Sequence, residues 1–209
     1  MHPTLKKTCI VCTHAEPPSG LARVNTRRSE CKGQNDAGAG VNSAEPTPIS
    51  TGRHILVLMG WVFLCFAAAA FGGLFMPGEW YASLKKPTWN PPGWVFGPVW
   101  TALYTMMALA AWLVWKRGGF AAQRRPLALF LVQLGLNAAW TPLFFGLHRP
   151  GLAFAEIVLL WLAIAATLAT FWRVSRAAAW LLAPYLAWVS FAAALNLALW
   201  QLNHPISQL

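Results

Sequence analysis

From position 55 onward the apolar residues run in five continuous blocks, each clear of basic residues: Ile55 to Met76, Trp94 to Trp115, Pro126 to Leu147, Gly151 to Trp172 and Ala177 to Leu202. About 20 apolar residues in a helix, rising about 1.5 Å each, cross the roughly 30 Å of bilayer hydrocarbon, and every block reaches that length. None alternates apolar with polar residues, which excludes an outer-membrane barrel. Between the blocks lie a long loop (Pro77 to Gly93), a short basic loop (Lys116 to Arg125) and two tight turns (His148 to Pro150, Arg173 to Arg176). Turns that short force antiparallel neighbours. The pattern predicts an all-α membrane protein, a five-transmembrane-helix bundle with a Pro-rich lid loop between helices 1 and 2. Residues 54–204 form the membrane domain, 1–53 a basic N-terminal tail and 205–209 a short C-terminal tail.

Composition agrees: of 209 residues 57% are hydrophobic and 11% charged, with a mean hydropathy of +0.47. A soluble domain is about 25% charged, so this chain has too little polar surface to be a cytosolic enzyme. The net charge of +10 invites a nucleic-acid reading, but the cations either lie in the tail or punctuate the apolar blocks, as membrane topology requires, so no nucleic-acid partner is expected. Seven basic residues (Arg53, Lys116, Arg117, Arg124, Arg125, Arg173, Arg176) flank the N-terminal side of the bundle and three (Lys85, Lys86, Arg149) the other. In a bacterial inner membrane this bias puts the N-terminus in the cytoplasm. The tail, rich in Gly, Pro, Ser, Thr and Asn, has no apolar periodicity and reads as disordered. Its Cys9 and Cys12 have the two-residue gap of a zinc or redox site, but Cys31 lacks a matching partner, so no metal site is assigned. Cys65, inside the first block, reads as apolar packing.

Ionisable groups inside a membrane are costly and usually functional, so their scarcity narrows the chemistry. No lysine lies within a block, and His2, His14, His54, His148 and His204 all lie in the tail or at block ends. Retinal Schiff bases, paired-histidine haem ligation and histidine clusters for di-iron are thereby excluded. Glu156 is the only intramembrane acid. What the chain has in abundance is tryptophan, with 13 residues. Trp80, Trp89, Trp94, Trp112, Trp115, Trp172, Trp180 and Trp200 fall near block ends, where the interfacial aromatic belt accounts for them. Trp61 fits either class. Trp100, Trp140, Trp161 and Trp188 lie deeper, where an indole N–H needs a partner.

At about 100° per residue, Gln133, Asn137, Trp140, Thr141 and Phe144 share one face of helix 3. Tyr185, Trp188, Ala192, Asn196 and Leu199 share a face of helix 5, and Trp100, Tyr104, Met107 and Ala111 a face of helix 2. Amides in lipid seek partners inside the bundle, so these faces converge. Counted from the lid side, Trp100, Trp140, Asn196 and Glu156 lie roughly 7–11 Å deep and Asn137 and Ala192 roughly 15 Å. Two readings stand: an aromatic-walled cavity for a flat, mostly apolar ligand, or faces that fill the core and satisfy one another. The lid, Lys85 to Pro92 with Pro87, Trp89, Pro91 and Pro92, is stiff without helical hydrogen bonding because proline fixes φ and removes N–H donors. A rigid loop over a bundle mouth suits a gate.

The stretch Trp80-Tyr81, Lys86-Pro87-Thr88-Trp89-Asn90-Pro91-Pro92, Phe96-Gly97-Pro98-Val99-Trp100 and Leu103-Tyr104 resembles the signature of the translocator protein family, also called tryptophan-rich sensory proteins or peripheral-type benzodiazepine receptors. Gln133-Leu134, Leu136-Asn137, Trp140, Phe144-Phe145-Gly146, Pro184-Tyr185-Leu186-Ala187-Trp188, Phe191-Ala192 and Leu195-Asn196 are similar to its other motifs in order and spacing. The resemblance covers about residues 55–203 and is of the bacterial type. It implies a five-helix membrane fold, usually dimeric, that binds porphyrins, haem and sterols, and in animals synthetic drugs. Positions matching the ligand cavity are Trp100, Asn137, Trp140, Trp188, Ala192 and Asn196, to which phase adds Tyr104 and Phe144. Some bacterial relatives are reported to degrade protoporphyrin in light, and the tryptophans matching Trp100 and Trp188 are implicated. Where the animal sterol motif requires Tyr and then Arg, this chain has Leu197 and Gln201, so a tetrapyrrole is the better expectation than cholesterol.

Three functions remain open: binding, transport or sensing of porphyrin or haem with no covalently bound cofactor; oxidation of a bound porphyrin with Trp100 and Trp188 as redox partners; and a purely structural membrane role. For assembly, Gly135, Ala139 and Gly146 fall at about 200–240° when Gln133 is set to zero, opposite the polar face. Gly135 and Ala139 make a small-x-x-x-small pair, so a homodimer through helix 3 is expected.

Overall fold

In the computed structural model the described residues are 51–75 and 77–203. Residues 1–50, with Cys9, Cys12 and Cys31, and residues 204–209 fall outside them, so the expected disordered N-terminal tail and the C-terminal tail do too. Five long helices span the membrane domain: α1 (Thr51–Gly73), α3 (Phe96–Trp115), α5 (Arg124–Thr141), α6 (Pro150–Val174) and α7 (Arg176–Asn203). Two short helices, α2 (Glu79–Ser83) and α4 (Gly119–Ala122), lie in the lid loop and the basic loop. No strand occurs among the described residues. All five long helices are long and apolar enough to cross a membrane, and the protein is an integral, multi-pass membrane protein. Thr51, Gly52 and Arg53, placed in the tail by composition, are helical.

Around the bundle the helices lie in the order α1, α3, α7, α6, α5, with α5 closing against α1. Short connections dictate this ring. α6 passes to α7 through Ser175 alone, whose N–H bonds the Phe171 carbonyl at 2.7 Å. The basic loop reverses through Gly118 and Gly119, both at positive φ, a conformation glycine adopts without steric cost. α6 starts on Pro150, whose missing N–H falls where a helix has no use for one. The turn before it contains His148 at φ 54°.

Beyond Thr141, Pro142 cannot donate, and the chain widens into a π turn over Pro142–Gly146, closed by the Leu147 N–H on the Pro142 carbonyl at 2.8 Å. The turn breaks the regular 100° phase, which corrects one expectation. Gly146 does not continue the small-residue face, because a Cβ there would lie 3.1 Å from the Phe75 ring of the same chain. Close approach of α1 to α5 at this end also explains Gly72, where a Cβ would meet Thr141 Oγ1 at 3.2 Å.

Two apolar clusters fill the bundle. The larger includes Trp61, Met107, Trp115, Phe130, Ile157, Phe171 and Tyr185; the smaller, on the lid side, has Phe144, Ala153, Leu195 and Leu199 at its centre. Trp115 is therefore core and not belt: it is 2% exposed, under Phe120, His54 and the Arg53 guanidinium. Trp112 donates to the His54 carbonyl at 3.0 Å, so it ties α3 to α1. Trp172 and Trp180 remain exposed and stack edge to face, as belt residues should. Trp161 meets its expected need for a partner on the outer face, donating to Ser190 Oγ at 2.8 Å.

Candidate functional site beneath the lid

The polar faces converge as the helical phase required, and they bond one another in pairs. Tyr104 of α3 donates its hydroxyl to Asn137 Oδ1 of α5. Trp140 of α5 donates its indole N–H to Asn196 Oδ1 of α7 at 3.1 Å, and the Asn196 amide donates to the Pro150 carbonyl at the start of α6 at 2.8 Å. Asn196 thus links three helices from one buried side chain. The Trp140 ring stacks on Phe144, centroids 5.0 Å apart. Six of the eight predicted ligand residues are accounted for by these contacts and by Trp100, which packs on Tyr104 and Tyr185.

Trp188 is placed differently from the others. Its ring contacts are Phe96 and Phe191, and it lines an apolar groove of about 470 Å³ between α3 and α7, with Val99, Leu103, Met106, Pro184 and Phe191. Its indole nitrogen is buried without a hydrogen-bond partner. Ala192 lies one turn further along α7, half-buried against the larger cluster. Groove and aromatic face together give an apolar wall with one free donor, the composition of a small-molecule site.

The lid closes this end through more rings. Trp89, about half exposed, meets Phe191 at 5.8 Å, and Tyr81 meets Phe144 and Phe145. Trp80 stacks on His148 with centroids 4.4 Å apart, and Lys86 Nζ sits 4.8 Å over the Tyr81 ring. The Tyr81 hydroxyl reaches Asn90 at 3.4 Å; burial raises its pKa above the ordinary phenol value, against the opposing effect of that bond. Pro87 and Pro92 act as carbonyl acceptors for the Asn90 and Val95 N–H groups, and Pro91 for the Asn90 amide at 3.2 Å.

One fastening was not legible from the lid's own sequence. Asn203, at the end of α7, accepts the Lys85 N–H at 2.9 Å and donates to the Lys85 carbonyl at 3.0 Å. A single side chain thereby clasps the lid to the bundle by both backbone groups. Asn203→Ala is expected to free the lid without unfolding the helices: ligand association and dissociation should both accelerate, by about three-fold or more, with a smaller change in affinity. Stopped-flow fluorescence measures both rates, and unchanged rates would show that Asn203 does not hold a gate.

Sequence reasoning also missed Phe96, Phe191 and the Trp80–His148 stack. Phe191 stands three residues after Trp188 and was available from helical phase; the others depend on where the lid folds back. Among the described residues no group of three or more His, Cys, Asp or Glu could hold a metal ion.

The sequence model of the TspO/MBR family matches residues 61–201. Human translocator protein is 45% identical over 151 residues, covering 70% of this chain and 89% of that protein. Protein CrtK of Rhodobacter capsulatus is 43% identical over 143 residues, 66% of this chain and 88% of its own. Tryptophan-rich protein TspO of Chlorobaculum tepidum is 44% identical over 158 residues, 72% and 98%. With five membrane-spanning helices, the aromatic site beneath the lid and matches of this extent, the chain belongs to the TspO/MBR family.

Proposed function

We propose that the protein binds a flat, largely apolar ligand of the tetrapyrrole class, protoporphyrin or haem, beneath the lid, and does so for transport or sensing. The observation that carries this reading is Trp188: a buried indole N–H without a partner, on an apolar groove of about 470 Å³. A buried donor left unpaired is costly, and a ligand acceptor would satisfy it. Trp100, Trp140, Phe144, Phe96 and Phe191 supply further ring surface, so the ligand is held by stacking and apolar contact. His54 and His148 lie at helix ends, away from midplane haem ligation. The tetrapyrrole class itself comes from the family resemblance, and the names translocator protein and tryptophan-rich sensory protein borne by relatives fit transport and sensing. In a bacterial inner membrane, the side with Lys116, Arg124 and Arg173 faces the cytoplasm.

Protoporphyrin is expected to quench intrinsic tryptophan fluorescence saturably, at one site per chain, and to leave the protein with its absorption spectrum unaltered under illumination. Absence of saturable quenching would defeat the binding reading. Conversion of bound porphyrin to a new absorbing species in light would replace it with the enzymatic alternative, in which Trp100 and Trp188 serve as redox partners.

A further inference from the structure

Between the two apolar clusters the bundle carries polar side chains from three further turns. Along α5, Asn137 follows Leu134 of the larger cluster and precedes Phe144 of the smaller. Along α6, Glu156 falls between Ala153 of the smaller cluster and Ile157 of the larger. On α7, Asn196 lies next to Leu195 of the smaller cluster. All three are more than nine-tenths buried, Glu156 at 8% exposure.

The amides have partners, and the acid has none. Asn137 accepts from Tyr104, and Asn196 bonds both Trp140 and Pro150. Both Glu156 carboxyl oxygens are buried without a hydrogen bond. The residue lies on the inward stripe of α6 formed by Ala153, Ile157, Leu160, Ile164, Thr167 and Phe171, so it faces the bundle interior and not lipid. A buried carboxyl with no partner is among the most costly groups a membrane bundle can carry. Nearly all buried polar groups in folded proteins are paired, and an exception calls for a missing partner.

We propose that the Glu156 carboxyl recognises the ligand, accepting an N–H or O–H donor that the ligand places between the two apolar clusters. The inference rests on the binding site proposed above and adds a selectivity to it. A flat ring held only by stacking and apolar walls would be chosen by shape alone. An acceptor inside the bundle selects for a donor, and a metal-free tetrapyrrole carries two pyrrole N–H groups that are lost when a metal occupies the ring. Glu156 therefore favours the metal-free form over a metal complex of the same outline.

The test compares metal-free protoporphyrin with its nickel complex, in which square-planar coordination suits the metal, on the full chain in detergent. Wild-type protein is expected to bind the metal-free form more tightly. Glu156→Leu is expected to lose about ten-fold or more of that affinity, the scale of one hydrogen bond to a charged or strongly polar group, while its affinity for the nickel complex stays the same. Thermal stability should be unchanged or raised, because an apolar side chain of similar size relieves an unpaired buried acid. Glu156→Gln, which keeps an acceptor oxygen in place, is expected to retain most of the preference.

Equal affinities in wild type and the Leu variant overturn the inference, as does a loss confined to the nickel complex, which would indicate metal ligation. Loss of both ligands together with stability would assign Glu156 a structural role. A Gln variant as weak as the Leu variant would assign the effect to charge and overturn hydrogen-bond acceptance. Wild-type protein that binds neither porphyrin overturns the ligand reading and this inference with it; binding of both with an unaltered Leu variant overturns this inference alone.

Discussion

Trp188→Leu is expected to weaken protoporphyrin binding by about 5- to 150-fold, the equivalent of about 1–3 kcal/mol for one aromatic stacking partner. The residue supplies a wall of the groove and its unpaired N–H, so the substitution removes stacking area and a donor together. Trp100→Leu should act in the same direction with a smaller effect, since Trp100 already spends ring surface on Tyr104 and Tyr185. Trp180, 65% exposed, is the control: Trp180→Leu should leave affinity unchanged. Trp115 would be a poor control, because it is core. Quenching titrations on the three variants decide the matter. A loss at Trp180 equal to that at Trp188, or no loss at Trp188, would sink the assignment of the site.

The fold was legible because lipid imposes one rule on every span: backbone groups bond internally and side chains stay apolar over about 20 residues. Block length located all five long helices, and short connections made them antiparallel. Helical phase also found the pairs Tyr104 with Asn137 and Trp140 with Asn196, because amides and indole N–H groups in lipid have few other places to go. It failed where the helix stopped being regular. Gly146 was mispositioned by the π turn after Pro142, and no residue count reveals a turn of that kind in advance. The belt rule failed at Trp115 for a related reason: proximity to a helix end does not say whether another segment, here the start of α1 and Phe120, covers the ring. The Asn203 clasp on Lys85 joins positions 118 residues apart, and nothing local at either position announces the other.

Phase also fixes what lies on the back of α5, where the second large effect is expected. Gly135 is exposed, and a Cβ built on it would meet nothing within 4 Å, so this glycine serves no packing purpose inside one chain. Leu131 and Val132, next to it along the helix, are also exposed, whereas Gln133 and Asn137 point inward and are buried. Small residues spaced four apart, Gly135 and Ala139, let two helix backbones approach closely and gain dispersion contact that larger side chains prevent. A homodimer through this face is the arrangement we propose, with Gly146 no part of it. Gly135→Leu should dissociate the dimer in mild detergent, read by cross-linking and by mass in solution. The variant should fold normally, because the open space around Gly135 accepts the side chain without displacing a neighbour in the same chain. Porphyrin affinity should stay within about two-fold, because the opposite face of α5 carries the site and distant substitutions act independently. A Leu variant that remains dimeric would place the interface on another helix. A variant that is monomeric and has also lost its ligand would mean that the two faces of α5 are coupled, and that the site depends on the second chain.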